Sequence, residues 1–212
     1  MMDLFDDPPP PRERLGAGAM LLRGFAAPVS QALMAAIEAV LADAPPRCMV
    51  TPGGRRMSVA MTNCGTLGWI SETSGYRYSR EDPASGRPWP ALPPVLLRLS
   101  GEAAAEAGFA GFVPDACLVN LYTPGTRLSL HQDRNERDFS APIVSVSLGL
   151  PAVFLWGGAR RADRTRRIPL LHGDVLVWGG PDRLRHHGVA PLKPAQAEPA
   201  VRRINLTLRK AG

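Results

Sequence analysis

From residue 116 onward apolar and polar positions alternate in short runs: CLVNLY at 117–122, PIVSVSLGL at 142–150, AVFLW at 152–156, RIPLL at 167–171, DVLVW at 174–178 and VRRINLTLR at 201–209. A period of two marks strands, and turns such as TPG, WGG and HGD separate the runs. Many short strands without intervening helices predict a double-sheet jelly-roll barrel, the double-stranded β-helix, over residues 114–212. Upstream the period changes. Leu33, Ile37, Val40 and Leu41 fall at helical spacing between Ser30 and Ala44, and Pro45-Pro46 stops that helix. A second helix is expected from Pro93-Pro94 to Gly108, with Gly101 as a weak point. The fold class is therefore mainly β with flanking helices (α+β). Residues 51–90, with TPGGRRMSVAMTN, GTLGWI and GYRYS, read as strands and loops too polar to form core. The four prolines Pro8–Pro11 predict a stiff, poorly ordered arm over 1–14, ahead of a single domain over 15–212.

Charge and cysteine content narrow the function classes. The formal net charge of +6 favours a polyanionic partner, although the arginines cluster only at Arg160, Arg161, Arg164, Arg166 and Arg167. Cys48, Cys64 and Cys117 are odd in number and form no Cys-x-x-Cys pair, which argues against a disulfide framework or a cysteine zinc site and for a reducing compartment. With no long apolar run to span a membrane, a soluble cytoplasmic protein is expected.

The strongest chemical signal is His131-Gln132-Asp133. In an extended segment positions i and i+2 share a face, so the imidazole and carboxylate can reach one ion. Such a triplet alone more often marks a surface histidine. A third candidate on a late strand changes the balance, because two histidines and one carboxylate form the facial triad of non-haem Fe(II) oxygenases. His186 and His187 are adjacent and alternation lets only one face the barrel interior, a choice the residues leave even. His172, before Gly173-Asp174, reads as a turn residue.

VRRINLTLR places Arg203, Asn205, Thr207 and Arg209 on one face and Ile204, Leu206 and Leu208 on the other. Taken alone, this is a half-exposed strand with a solvated basic face. Beside the triad it gains a second meaning. A 2-oxoglutarate chelating iron through its keto-acid end needs a fixed guanidinium for its far carboxylate, with a pocket expected beside Arg209. CLVNLY puts Asn120 and Tyr122 on one face, offering an amide and a phenol to the same ligand.

With these residues in view, the sequence resembles the AlkB family of Fe(II)- and 2-oxoglutarate-dependent DNA and RNA demethylases, and within it the bacterial members. The resemblance runs through MVTPGG at 49–54, MSVAMTNCG at 57–65, PDACLVNLY at 114–122, LSLHQD at 128–133, APIVSVSLGLPA at 141–152, HGDVLVWGG at 172–180 and NLTLR at 205–209, most of the chain from Met49 onward. It implies iron on His131, Asp133 and His187, and 2-oxoglutarate on Asn120, Tyr122, Arg203, Asn205 and Arg209. It also implies a nucleotide-recognition lid over 45–90, with Trp69 stacked on a flipped-out base opposite His131 and Tyr76 near the backbone. Thr51, Met57, Ser58, Met61 and Arg161 match further substrate positions. The implied reaction is oxidative dealkylation of bases such as 1-methyladenine and 3-methylcytosine, consuming O2 and releasing formaldehyde, succinate and CO2, in single- or double-stranded DNA and as a second substrate RNA. A monomer is expected.

One position departs from the pattern. Asn135 stands where an aspartate would attract a base made cationic by methylation, and a neutral amide both donates and accepts. This predicts weaker preference for cationic over neutral lesions. Ser145 and Ser147 read as barrel-lining residues rather than nucleophiles, since GxSxG is absent. Competing readings are a dioxygenase acting on a protein or small molecule, a non-catalytic basic nucleic-acid-binding module, and a cupin-like isomerase.

Overall fold

The alternating runs fold into strands of two sheets, and their two-residue period decides which core each side chain enters. A computed structural model describes residues 11–193 and 202–212. In chain order the elements are β1 (Arg12–Gly16), β2 (Ala19–Leu22), α1 (Ser30–Asp43), β3 (Ala60–Gly65), β4 (Gly68–Glu72), β5 (Gly75–Ser79) and α2 (Pro94–Glu106). They continue as β6 (Ala116–Tyr122), β7 (Leu128–His131), β8 (Ile143–Gly149), β9 (Ala152–Trp156), β10 (Arg166–Leu170), β11 (Val175–Trp178), β12 (His187–Val189) and β13 (Arg203–Arg209). A seven-stranded sheet runs β1-β2-β11-β8-β13-β6-β3, a four-stranded sheet runs β10-β9-β12-β7, and β4 pairs with β5 as a separate hairpin.

The large sheet is covered on both faces. One face carries Val119, Leu121, Val144, Val146, Ile204, Leu206 and Leu208, packed with Leu33 and Ile37 of α1 and Leu96 and Leu99 of α2. The other carries Leu118, Tyr122, Ile143, Leu176 and Trp178, packed with Phe154, Trp156, Ile168 and Val189 of the small sheet. The odd-numbered face of β13 therefore points between two sheets. Arg203, Asn205, Thr207 and Arg209 are all buried, and the solvated basic strand is not what forms. Burying such groups is tolerable only when each finds a partner.

Two expectations change. Residues 51–90 are not too polar for the core: β3 pairs in register with β6, and Met61, Thr62, Asn63 and Cys64 are buried together with Val59, Ile70 and Trp89. The polar members are absorbed by hydrogen bonds, as Asn63 shows by accepting from the Trp69 amide and donating to the Trp69 carbonyl, both at 3.0 Å. The poorly ordered arm expected over 1–14 does not extend to residues 12–14, because Arg12–Gly16 pairs with β2, and Glu13 pairs with Arg23 and Arg166. Residues 1–10 lie outside the described residues. Cys48, Cys64 and Cys117 are free thiols.

Asn63 ties the β4–β5 hairpin to the large sheet. Asn63→Ala should strand both Trp69 backbone groups and lower stability by about 1–3 kcal/mol in urea unfolding; an unchanged midpoint would show that the hairpin is held by other contacts.

Candidate active site

Strand pairing brings the histidines together: His187 on β12 is the direct cross-strand partner of His131 on β7, and the ring centroids are 4.5 Å apart. Close approach of the two strands needs Gly188, where an added Cβ would meet the Leu128 carbonyl oxygen at 2.7 Å. Asp133 follows β7 directly. Its carboxylate oxygens lie 3.7 Å from His131 Nε2 and 3.8 Å from His187 Nε2, and two metal bonds of ~2.1 Å can span such gaps. Ligand atoms of all three residues fall within 4.8 Å of one another. His187, not His186, joins the cluster.

Hydrogen bonds behind the rings select the tautomer. His131 Nδ1 lies 2.8 Å from the Ser129 carbonyl and His187 Nδ1 lies 3.0 Å from the Arg185 carbonyl. Donation from each Nδ1–H leaves both Nε2 lone pairs for a metal. Burial against Phe154 and Trp178, with centroids 5.8 and 5.0 Å from the His187 ring, disfavours its cation and brings its pKa down to about 4, helped by the neighbouring His131. The imidazole is thus neutral at pH 7. For Asp133 burial pushes the other way, but Arg209 and the two imidazoles outweigh it and hold the carboxyl well below the usual carboxylate range.

Arg209 donates to Asp133 Oδ2 from Nε at 3.0 Å and from Nη2 at 2.7 Å, and lies 3.5 Å from Glu136 Oε1. It is thus engaged by the Asp133 carboxylate, whereas Arg203, on the same face of β13, is not. There the guanidinium sits over the Tyr122 ring, 5.8 Å from its centroid, and donates to Ser147 Oγ at 3.1 Å. Asn120 donates to Asn205 Oδ1 at 3.3 Å, and Asn205 donates to Ser145 Oγ at 2.8 Å. Yet Arg203 Nε, Tyr122 Oη and Asn120 Oδ1 are buried without a protein partner. Unpaired groups of that kind are costly, and the two donors among them, a guanidinium and a phenol along one buried face, fit a carboxylate. The donor set beside them, two imidazoles and a carboxylate, fits a six-coordinate Fe(II) with positions to spare.

A cleft of about 550 Å³ opens over His131 and Asp133. Trp69, Tyr76, Asn135 and Arg161 line it, as do Thr51, Met57, Ser58 and the buried Met61. Trp69 and Tyr76 stack with centroids 5.5 Å apart at 17°, and the indole Nε1 donates to Asn135 Oδ1 at 3.2 Å. Ser58 Oγ bonds the Arg127 backbone, and Thr51 Oγ1 accepts from the Arg55 amide at 3.2 Å. Arg161 donates to the Leu130 carbonyl.

Sequence reasoning passed over the groups that brace this site. Arg183 donates to the Asp133 carbonyl at 2.7 Å and to Glu136 Oε2 at 3.0 Å, while Tyr78 Oη donates to Glu136 Oε1 at 2.6 Å. Glu136 thereby joins β5 to the loop bearing Asp133. A glutamate three residues past His-x-Asp was the available signal, though only the fold shows it buried; nothing local in the sequence marked Arg183 or Tyr78.

Comparison with known proteins agrees with this geometry. Residues 18–209 match the 2OG-Fe(II) oxygenase superfamily. The chain is 53% identical to the alpha-ketoglutarate-dependent dioxygenase AlkB of Escherichia coli strain K12, covering 100% of this chain and 99% of that protein. It is 49% identical to the AlkB homolog of Caulobacter vibrioides, over 84% of this chain and 81% of that one. The OsALKBH1 structure superposes with a TM-score of 0.78 at 29% identity, over 94% of this chain and 100% of that one.

His187 titrates near 4 when folded and near 6.5 when unfolded. Between those values the unfolded chain binds the extra proton, so stability is intact above pH 6.5 and declines as pH falls toward 4, by up to about 3 kcal/mol. Urea unfolding of the metal-free protein across this range should show the decline, and His187→Gln should flatten it; an equal slope in both proteins would assign the effect elsewhere.

Proposed function

Since the chain belongs to the 2OG-Fe(II) oxygenase superfamily and, within it, to the AlkB family, we propose that His131, Asp133 and His187 hold Fe(II) at the floor of a cleft that receives an alkylated base. The protein is an Fe(II)- and 2-oxoglutarate-dependent dioxygenase that repairs nucleic acid by oxidative dealkylation. The observation carrying the residue assignment is the meeting of two imidazoles and an arginine-held carboxylate within 4.8 Å, beneath the Trp69–Tyr76 stack. When bound, Fe(II), 2-oxoglutarate and O2 supply the oxidation, yielding succinate and CO2 and releasing the alkyl carbon as formaldehyde.

The protein's own share is holding, orienting and excluding water. Nδ1–H donation from both histidines aims their Nε2 atoms, and Arg209 keeps Asp133 ionised and fixes its rotation. Arg203, set over Tyr122, takes the far carboxylate of 2-oxoglutarate, with Tyr122, Asn120 and Asn205 beside it; Arg209 retains Nη1 for the near end. A damaged base must leave its stack to reach a metal. Residues 45–90 act as the recognition lid, in which Trp69 and Tyr76 give a flat face for the flipped base and Met57 and Met61 an apolar floor. Thr51, Ser58 and Arg161 serve the flanking backbone. The indole engages Asn135 Oδ1, which leaves the amide NH2 to face a lesion. We read the protein as a monomer, and free thiols support a cytoplasmic setting. No described helix is long and apolar enough to cross a membrane. Single-stranded DNA is the substrate we favour, because an unpaired base is extruded at least cost; double-stranded DNA and RNA follow.

Anaerobic loading with Fe(II), 2-oxoglutarate and a 3-methylcytosine oligonucleotide, followed by air, should release formaldehyde in step with succinate, and His187→Ala should abolish it. Succinate made without response to the oligonucleotide would instead favour a protein or small-molecule substrate.

Replacing the fork by a point charge in Arg203→Lys should raise the KM for 2-oxoglutarate about 10- to 100-fold, as removal of a charge-assisted hydrogen bond implies, and leave the KM for the oligonucleotide alone. Equal changes in both would remove Arg203 from the cosubstrate site.

Asn135→Asp should increase the rate on 3-methylcytosine relative to 1-methylguanine by about 10-fold, the scale of one added charge contact of ~1.4 kcal/mol. An unchanged ratio would show that residue 135 does not read lesion charge.

A further inference from the structure

Tyr76 and Asn135 line two clefts. One is the base cleft above the triad; the other, of about 410 Å³, is lined by Arg77, Arg80 and Arg137, with Leu67, Tyr78, Ala211 and Gly212 completing it. The three guanidiniums come from different places in the chain, Arg77 from the middle of β5, Arg80 from just after it and Arg137 from the loop after Asp133, and all three residues are exposed. Arg77 is 3.3 Å from Glu72, an exposed and screened pair. Among the described residues Arg80 and Arg137 have no carboxylate within salt-bridge distance. Three guanidiniums lining one cleft outnumber its counter-charges, Glu72 and the terminal carboxylate of Gly212, and make an anion site, because guanidiniums match phosphate oxygens bidentately.

We infer that this second cleft binds the phosphodiester backbone of the nucleic-acid strand, beyond the flipped nucleotide, so that the strand passes from the base cleft across Tyr76 and Asn135 onto Arg77, Arg80 and Arg137. The inference rests on the nucleic-acid reading of the base cleft and extends its footprint. Continuity carries it: a strand whose base occupies the first cleft meets the shared wall, and the next groups offered to it are cations. The site makes no contact with the base, so it adds affinity without sequence preference. It also makes affinity depend on substrate length, because a trinucleotide centred on the lesion has too little backbone to fill both clefts.

The test compares wild type with the Arg77→Gln/Arg80→Gln/Arg137→Gln variant on two labelled substrates, a trinucleotide centred on 3-methylcytosine and a single strand of about ten nucleotides. Turnover of the trinucleotide should be the same in both proteins. On the longer strand the variant should bind about 5- to 20-fold more weakly at low salt, and the slope of log K against log salt should shrink by about 0.7 for each phosphate that the variant leaves unneutralised. Neutral methylphosphonate linkages placed beyond the lesion in the longer strand should erase the difference between the proteins. Equal affinity and equal salt slope on the longer strand, with trinucleotide turnover intact, would overturn the second site and leave the proposed function standing. Failure of wild type to act on either substrate would overturn both.

Discussion

Arg209 and Asp133 meet between two sheets, where either charge left alone would be costly, and the rest of the site is arranged around that pair. Breaking a buried pair by removing one partner typically costs about 3–5 kcal/mol, so the carboxylate cannot rotate freely or take up a proton near neutral pH. Two imidazoles stand against it with their protonated nitrogens turned to backbone carbonyls. Glu136 and Arg183 complete the set of charges, and Tyr78 links it to the β4–β5 hairpin. The site is rigid because its members satisfy one another rather than water.

That network exists only because the large sheet is covered on both faces. The helices take one side of β6, β8 and β13, and the small sheet takes the other. An odd-numbered polar face that would be solvated in an open sheet is forced to pair internally. It does so through Asn120, Asn205, Ser145 and Ser147, and leaves Arg203 Nε and Tyr122 Oη without protein partners. The same two-sided burial lowers the His187 pKa and keeps its ring neutral where a metal needs it.

The cleft proposed for the substrate is built on different terms. The triad is buried at strand ends, whereas the cleft walls come from the β4–β5 hairpin and the loops around Thr51, Asn135 and Arg161. Trp69 is anchored through its backbone to Asn63 and through its indole to Asn135, so the stacking surface is joined to both the sheet and the metal loop. A flat aromatic pair over the triad, with arginines at the rim, suits the proposed function, a sequence-tolerant grip on a base joined to attraction for its backbone.

The period of two from residue 116 onward, the helical spacing of Leu33, Ile37 and Val40, and the His-x-Asp triplet were enough to determine the architecture and two of the three members of the triad. They are local properties, carried by the intrinsic geometry of strand and helix. The choice of His187 over His186 was not local, since alternation alone allows either; the family resemblance named it, and pairing of β12 with β7 is what sets its ring beside His131 in the fold. Arg203 and Arg209 share one face of one strand and cannot be told apart by pattern. Only tertiary packing set one against Asp133 and the other over Tyr122. Residues 51–90 looked too polar for a core because hydrogen bonds such as those of Asn63, which make polarity compatible with burial, join groups whose proximity depends on the folded chain.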